Sequence, residues 1–109
     1  MSFGSGAFGG FLGAKVNFAS GPGWSYPLLE SYNHLDQLHY DADNEWILLQ
    51  AEACQSFLDI ARGKLALCET EPKDGLNLVE VLRGGGVYLD VYDHPQELHQ
   101  LLQFSVEFN

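Results

Sequence analysis

Positive charge is what this sequence has least of. Five Lys and Arg residues stand against 15 Asp and Glu, for a formal net charge of -10. A surface that acidic repels phosphate backbones and anionic bilayers alike, so neither nucleic acid nor membrane is an expected partner. Long apolar runs are missing too. No stretch approaches the ~20 residues that span a bilayer, and the opening MSFGSGAFGG has no Lys or Arg to begin a signal peptide. Cysteine is scarce: Cys54 and Cys68 are the two in the chain. They cannot build a disulfide framework and lie too far apart for a Cys-x-x-Cys clamp. The expectation is a cytoplasmic protein with both thiols reduced and buried in the core. His34 and His39, like His94 and His99, are five residues apart, roughly 140° around a helix, so neither pair shares a face. No metal site and no cofactor are expected.

What is present is apolar. Hydrophobic residues make up 46% of 109 residues, enough for a folded core in one small domain and too few residues for two. Residues 1–30 read as an irregular or extended segment. Gly4, Gly6 and Gly9 spell a G-x-G-x-x-G pattern, but only three residues precede them and Asp36 is too distant to be the acidic partner of a dinucleotide loop. A flexible or partner-covered segment is the reading instead. Val16 and Phe18 alternate with polar neighbours as a short strand would, and Gly21-Pro22-Gly23 marks a turn.

Residues 31–109 read as helix, helix, strand, helix, helix. A short helix is expected over 31–39. Helix-capping side chains at 41–44 precede a longer one over 45–62. Ile47, Ala51, Cys54, Leu58 and Ala61 draw its apolar stripe, widened by Trp46 and Phe57, and Gly63 ends it. KLALCE at 64–69, bounded by Gly63 and Pro72, reads as a buried strand. From Gly75, Leu76, Val79 and Leu82 recur three apart with Leu78 and Val81 beside them, which is helical spacing. Gly84-Gly85-Gly86 stops that helix. Residues 87–92 fit strand and helix equally well by period. Asp93 and Gln96 have capping-box spacing, with Pro95 in the first turn, and Leu98, Leu101, Leu102 and Val106 form the last stripe. A helix, a strand, a loop and a helix in that order predict an α/β unit with a parallel sheet.

Taken in order, GLNLVEVLRGG and YLDVYDHPQELHQLL, with FLGAKVNFASGPGWSYPLLESYNHLDQLHYDADNEW upstream, resemble the uroporphyrinogen decarboxylase superfamily over nearly the whole chain. The resemblance implies a helix over 88–93 and a TIM-type barrel, which needs ~250 residues. The expected fold class is therefore α/β: a partial TIM-type (β/α) barrel fragment with one or two strands and several helices. Remaining barrel strands or a second copy would complete it. The implied parent enzyme is a cofactor-independent carboxy-lyase of tetrapyrrole metabolism with a small-molecule substrate. Corrinoid-dependent methyltransferases of the same superfamily are an alternative, and a non-catalytic α/β interaction module is another. In the decarboxylases an aspartate stabilises positive charge on the pyrrole. The resemblance puts that position at Gly4, and puts the family's tyrosine at Val81 or Glu80.

Barrel enzymes gather reacting groups where strands end. That points to the acidic loop after residue 69, with Glu69, Asp74 and Asn77 as catalytic candidates beside Thr70 and Glu71. Arg83, next to the glycines, is the candidate anion contact for substrate. The plainer expectation is a solvated acidic loop and an arginine complementing a helix C-terminus.

Overall fold

Asn44 starts the longest helix. Its Oδ1 accepts from the Trp46 amide at 2.9 Å and the Ile47 amide at 3.4 Å. These are two of the donors that a helix start leaves without a partner of its own. Its Nδ2 donates to the Gly10 carbonyl at 3.0 Å, tying the helix to the N-terminal segment. The computed structural model describes residues 4–19, 21, 23–68 and 74–108. In it helix α1 runs Glu45–Ala61 and ends before Gly63, whose φ is 74°.

Ahead of α1, a 3-10 helix at Ser5–Leu12 leads into a two-stranded antiparallel ribbon. Strand β1 is Val16–Asn17 and β2 is Trp24–Ser25, in register Val16 to Ser25 and Asn17 to Trp24. A second 3-10 helix occupies Tyr32–Gln37. Behind α1, Asp74 caps helix α2, Gly75–Arg83, by accepting from the Asn77 amide at 3.0 Å. A 3-10 turn at Gly84–Gly86 passes the chain into α3, Val87–Asp93, and α4 follows at Pro95–Phe108. Pro95 occupies the first turn, where no amide hydrogen is required.

The core lies between α2 and α4. Leu78, Val79 and Leu82 of α2 meet Leu98 and Leu101 of α4, with Val87 and Leu29 closing the cluster. Residues 88–93 are helical, so of the strand and helix their period allowed, the helix is what forms. The stripe spacing on α2 and α4 is correct at its centre and fails at its ends. Leu76 and Val106 are exposed, while Ser105 is fully buried and donates to the Leu102 carbonyl at 2.7 Å.

The α/β expectation, a partial TIM-type barrel fragment, is overturned. Among the described residues the strands are two of two residues each, antiparallel, and no parallel pair exists. Residues 64–68 form a turn and irregular backbone, with Leu65 66% exposed; Glu69 lies outside the described residues. A short apolar run reads alike as strand or coil until a neighbouring strand takes up its amides and carbonyls. Among the described residues no such neighbour lies beside it. The core stripe expected on α1 is also corrected. Of its residues Ala61 is buried, Ile47 and Cys54 are half-buried, and Ala51 and Leu58 are exposed. Cys68, expected in the core, is exposed. No described helix is long and apolar enough to cross a membrane.

Gly84 holds φ 72° and ψ -164°, a conformation open only to glycine, and a Cβ there would stand 2.9 Å from Pro27 Cγ. Gly85 has nothing within 4 Å of the corresponding position. Gly84→Ala is therefore expected to destabilise the fold by about 2 kcal/mol. Gly85→Ala is expected to be neutral, or to stabilise by up to ~1 kcal/mol through the unfolded chain. Urea unfolding of the two variants side by side is the check, and equal losses at both positions would contradict this account of the turn.

Candidate functional site

The polar cluster at the α2–α3 junction brings together residues from three parts of the sequence. The bend at Gly84–Gly86 sets α3 so that Asp90, on its inner face, meets Arg83 at the end of α2. Arg83 Nε donates to Asp90 Oδ2 at 2.9 Å and its Nη2 donates to Oδ1 at 3.2 Å, a two-pronged guanidinium–carboxylate contact. Arg83 Nη1 donates to the Leu29 and Glu30 carbonyls at 3.2 and 2.7 Å. The guanidinium also lies over the Tyr32 ring, 5.2 Å from its centroid. Tyr32 Oη donates to Asp90 Oδ2 at 2.7 Å, and the His94 ring stands 5.5 Å from that of Tyr32. Just before this, the Leu28 and Leu29 amides both donate to the Leu82 carbonyl, at 2.8 and 2.9 Å. They satisfy one of the acceptors that a helix end leaves open.

The side chain of Asp90 is 4% exposed and that of Arg83 is 18%. Burial pushes the Asp90 carboxyl up, but the hydrogen bonds from Arg83 and Tyr32 outweigh it and hold the group below its ordinary value. Burial, and then the hydrogen bond to the Asp90 carboxylate, push the Tyr32 phenol up to about 12. The hydrogen bond to Asp90 raises Arg83 despite its burial. Every one of these shifts favours the charge state already present at neutral pH. The groups are locked in an ion pair, not poised to exchange a proton.

The predicted site residues fall elsewhere or serve the fold. Glu69, Thr70 and Glu71 lie outside the described residues. Asp74 accepts from the Asn77 amide through Oδ1 and from the Asn77 side chain through Oδ2, at 3.0 and 2.7 Å, so these two catalytic candidates pair with each other at a helix start. Arg83, the candidate anion contact, has Asp90 as its anion. Gly4 and Val81 carry no ionisable group, and Glu80 accepts from the Tyr88 hydroxyl at 3.3 Å. Sequence reading missed Asp90 and Tyr32. An isolated acid in the apolar run VYLDVY was the available signal for Asp90. Tyr32, 58 residues away, had none.

A cleft of about 270 Å³ lies between the first 3-10 helix and the start of α1, lined by Gly10, Lys15, Asn44, Glu45 and Trp46 among others. It falls below the size usual for small-molecule sites, about 300 Å³ and upward. Among the described residues no three His, Cys, Asp or Glu side chains gather as a metal site would require.

Removing one partner of a buried pair strands the other. Arg83→Met is therefore expected to cost about 3 kcal/mol, and Tyr32→Phe about 1–2 kcal/mol for one hydrogen bond to a charged group, both read from urea unfolding. The pH dependence has a definite sign. The folded Asp90 carboxyl titrates below its unfolded value, so its contribution is complete above the ordinary carboxylate range and is lost as pH falls through the folded value. Folded Tyr32 titrates above its unfolded value of about 10, so its share is complete below that pH and is lost on rising towards about 12. Stability measured against pH should lose part of its acid slope in Asp90→Asn and part of its alkaline slope in Tyr32→Phe. Unchanged slopes would mean that the cluster does not couple protonation to folding.

No protein-family model, curated protein or solved structure matches this chain.

Proposed function

We propose that this chain is a scaffolding portion of a uroporphyrinogen decarboxylase-like protein, the parent enzyme being a carboxy-lyase of tetrapyrrole metabolism. The chain supplies packing and an apolar surface, and the reacting groups lie elsewhere in the parent. The ordered similarity of its sequence segments to that superfamily supports the family part of the reading. The observation that carries the scaffolding part is the engagement of the polar candidates. Arg83 is spent on Asp90 and on backbone carbonyls, and Asp74 with Asn77 on a helix start. The positions that match the family's aspartate and tyrosine hold Gly4 and Val81 or Glu80.

A second reading, a non-catalytic interaction module, is favoured by the exposure of Leu49, Phe57 and Ile60 on α1. The two readings separate in one assay. Incubated with uroporphyrinogen, the isolated chain is expected to release no carboxyl groups. The polypeptide encoded by the whole reading frame around it is expected to release them, with the partly decarboxylated products resolved by chromatography. Arg83→Met in that polypeptide should lower its unfolding midpoint while leaving KM for the folded fraction unchanged. A complete polypeptide that is folded and inactive on porphyrinogens would end the decarboxylase reading in favour of the interaction module.

A further inference from the structure

Helix α1 carries a stripe distinct from the one its core-facing pattern marks. Trp46, Leu49, Ala53, Phe57 and Ile60 follow one another at steps of 3, 4, 4 and 3, the alternation by which facing helices interlock their side chains. Leu49, Phe57 and Ile60 are 44%, 37% and 76% exposed, while Trp46 is half-buried beside Phe18. The stripe is symmetric about Ala53. If a second α1 lies antiparallel across it, Trp46 faces Ile60, Leu49 faces Phe57, and Ala53 meets its own copy on the two-fold axis. Such self-complementarity is what an isologous dimer interface requires. Large side chains flank a small one at the point where the two backbones come closest.

Charge selects the same direction. Asp41, Asp43 and Glu45 stand exposed at the start of α1, and at its end stand exposed Lys64 and Arg62, the latter 3.8 Å from Asp59 one turn back. Two of the five cations in the chain are thus placed where an antiparallel copy brings acids. A parallel copy would set acid against acid and base against base. The helix macrodipoles also oppose only in the antiparallel arrangement.

We propose that a second copy of this chain covers α1, antiparallel, with a two-fold axis through Ala53. The proposal rests on reading the chain as a scaffold and interaction piece, and it names the occupant of its apolar face. The helix is about 25 Å long, and the pair would bury on the order of 1,000 Å² in total, the lower end for a specific interface. The dimer is accordingly reversible, with dissociation in the micromolar range.

Sedimentation equilibrium of the full 109-residue chain from about 1 to about 200 µM tests this. The expected result is a monomer–dimer equilibrium. Leu49→Glu and Ile60→Glu should each raise the dissociation constant at least ~10-fold, and Leu48→Glu, on the polar arc of the helix, should leave it unchanged. Arg62→Glu with Lys64→Glu should weaken the dimer, and adding Asp41→Lys and Glu45→Lys to the same chain should restore it. Circular dichroism confirms that each variant keeps its helices. In a Cys54→Ser, Cys68→Ser background, Ala53→Cys should form an interchain disulfide under mild oxidation, while Leu48→Cys should not. A folded monomer at every concentration would overturn the proposal. So would an oligomer indifferent to Leu49→Glu, or crosslinking no greater at position 53 than at 48. These readouts are independent of the porphyrinogen assay. A dimer whose parent is inactive loses the family reading alone, and a monomer whose parent is active loses the pairing alone.

Discussion

The contact between Arg83 and Asp90 is the constraint on which the packing of α2, α3 and α4 depends. Withdrawing a carboxylate from water is strongly unfavourable unless its lone pairs find charged donors. Asp90 finds two guanidinium hydrogens and a phenol. Because Arg83 also holds the carbonyls of Leu29 and Glu30, the same side chain fixes the irregular segment before Tyr32 against the helices. Leu29 is thereby delivered into the cluster of Leu78, Leu82 and Leu101. The glycine bend belongs to this arrangement. An uninterrupted helix would rotate residues seven apart onto nearly one face but ~10 Å along the axis, beyond the reach of a two-pronged contact. The turn at Gly84–Gly86 shortens that path.

Much of this was legible in the sequence wherever one local interaction decides the outcome. The starts of α1 and α2 follow from Asn44 and Asp74, whose side chains satisfy amides two or three residues away. The ends follow from Gly63 and Gly84, and the α2–α4 core from apolar spacing. What was not legible depends on partners distant in sequence. Residues 64–69 read as a strand because apolar runs carry no record of whether another strand will lie beside them; their described part, 64–68, is turn and irregular backbone. Arg83 reads as an anion contact, and the anion it meets in the fold is Asp90. Its partner sits in a segment whose period left helix and strand tied, and once that segment is helical, Asp90 turns inward. Asp74 and Asn77 read as a loop site because capping and catalysis call on the same side chains.

Hydrophobic burial is divided unevenly along the chain. Among the described residues ten hydrophobic ones are buried, while sixteen large ones are exposed, six of them in α1 and the turn after it and four more in α3. The molecule measures 52 × 29 × 22 Å with a radius of gyration of 15.4 Å, against about 13 Å for a compact domain of this length. The excess is a matter of shape. The core around α2 and α4 is closed, whereas α1 is anchored mainly at its N-terminal end, through Asn44 and Trp46. Exposed apolar area of this kind is what the proposed pairing of α1 would cover.

The placement of charge and apolar surface leads to the same conclusion about what this chain contributes. In a protein with a formal charge of -10, each cation is a scarce means of offsetting buried or facing acids. One of the five, Arg83, is committed to the partly buried contact with Asp90, where solvent screening is reduced. Two more, Arg62 and Lys64, stand at the open end of α1. A group meant to bind a substrate carboxylate must keep donors unengaged in the resting protein, and Arg83, held by Asp90 and two carbonyls, does the opposite. Its geometry favours rigidity over turnover. Helix α1, by contrast, leaves its apolar middle exposed, with acids at its start and Arg62 and Lys64 at its end.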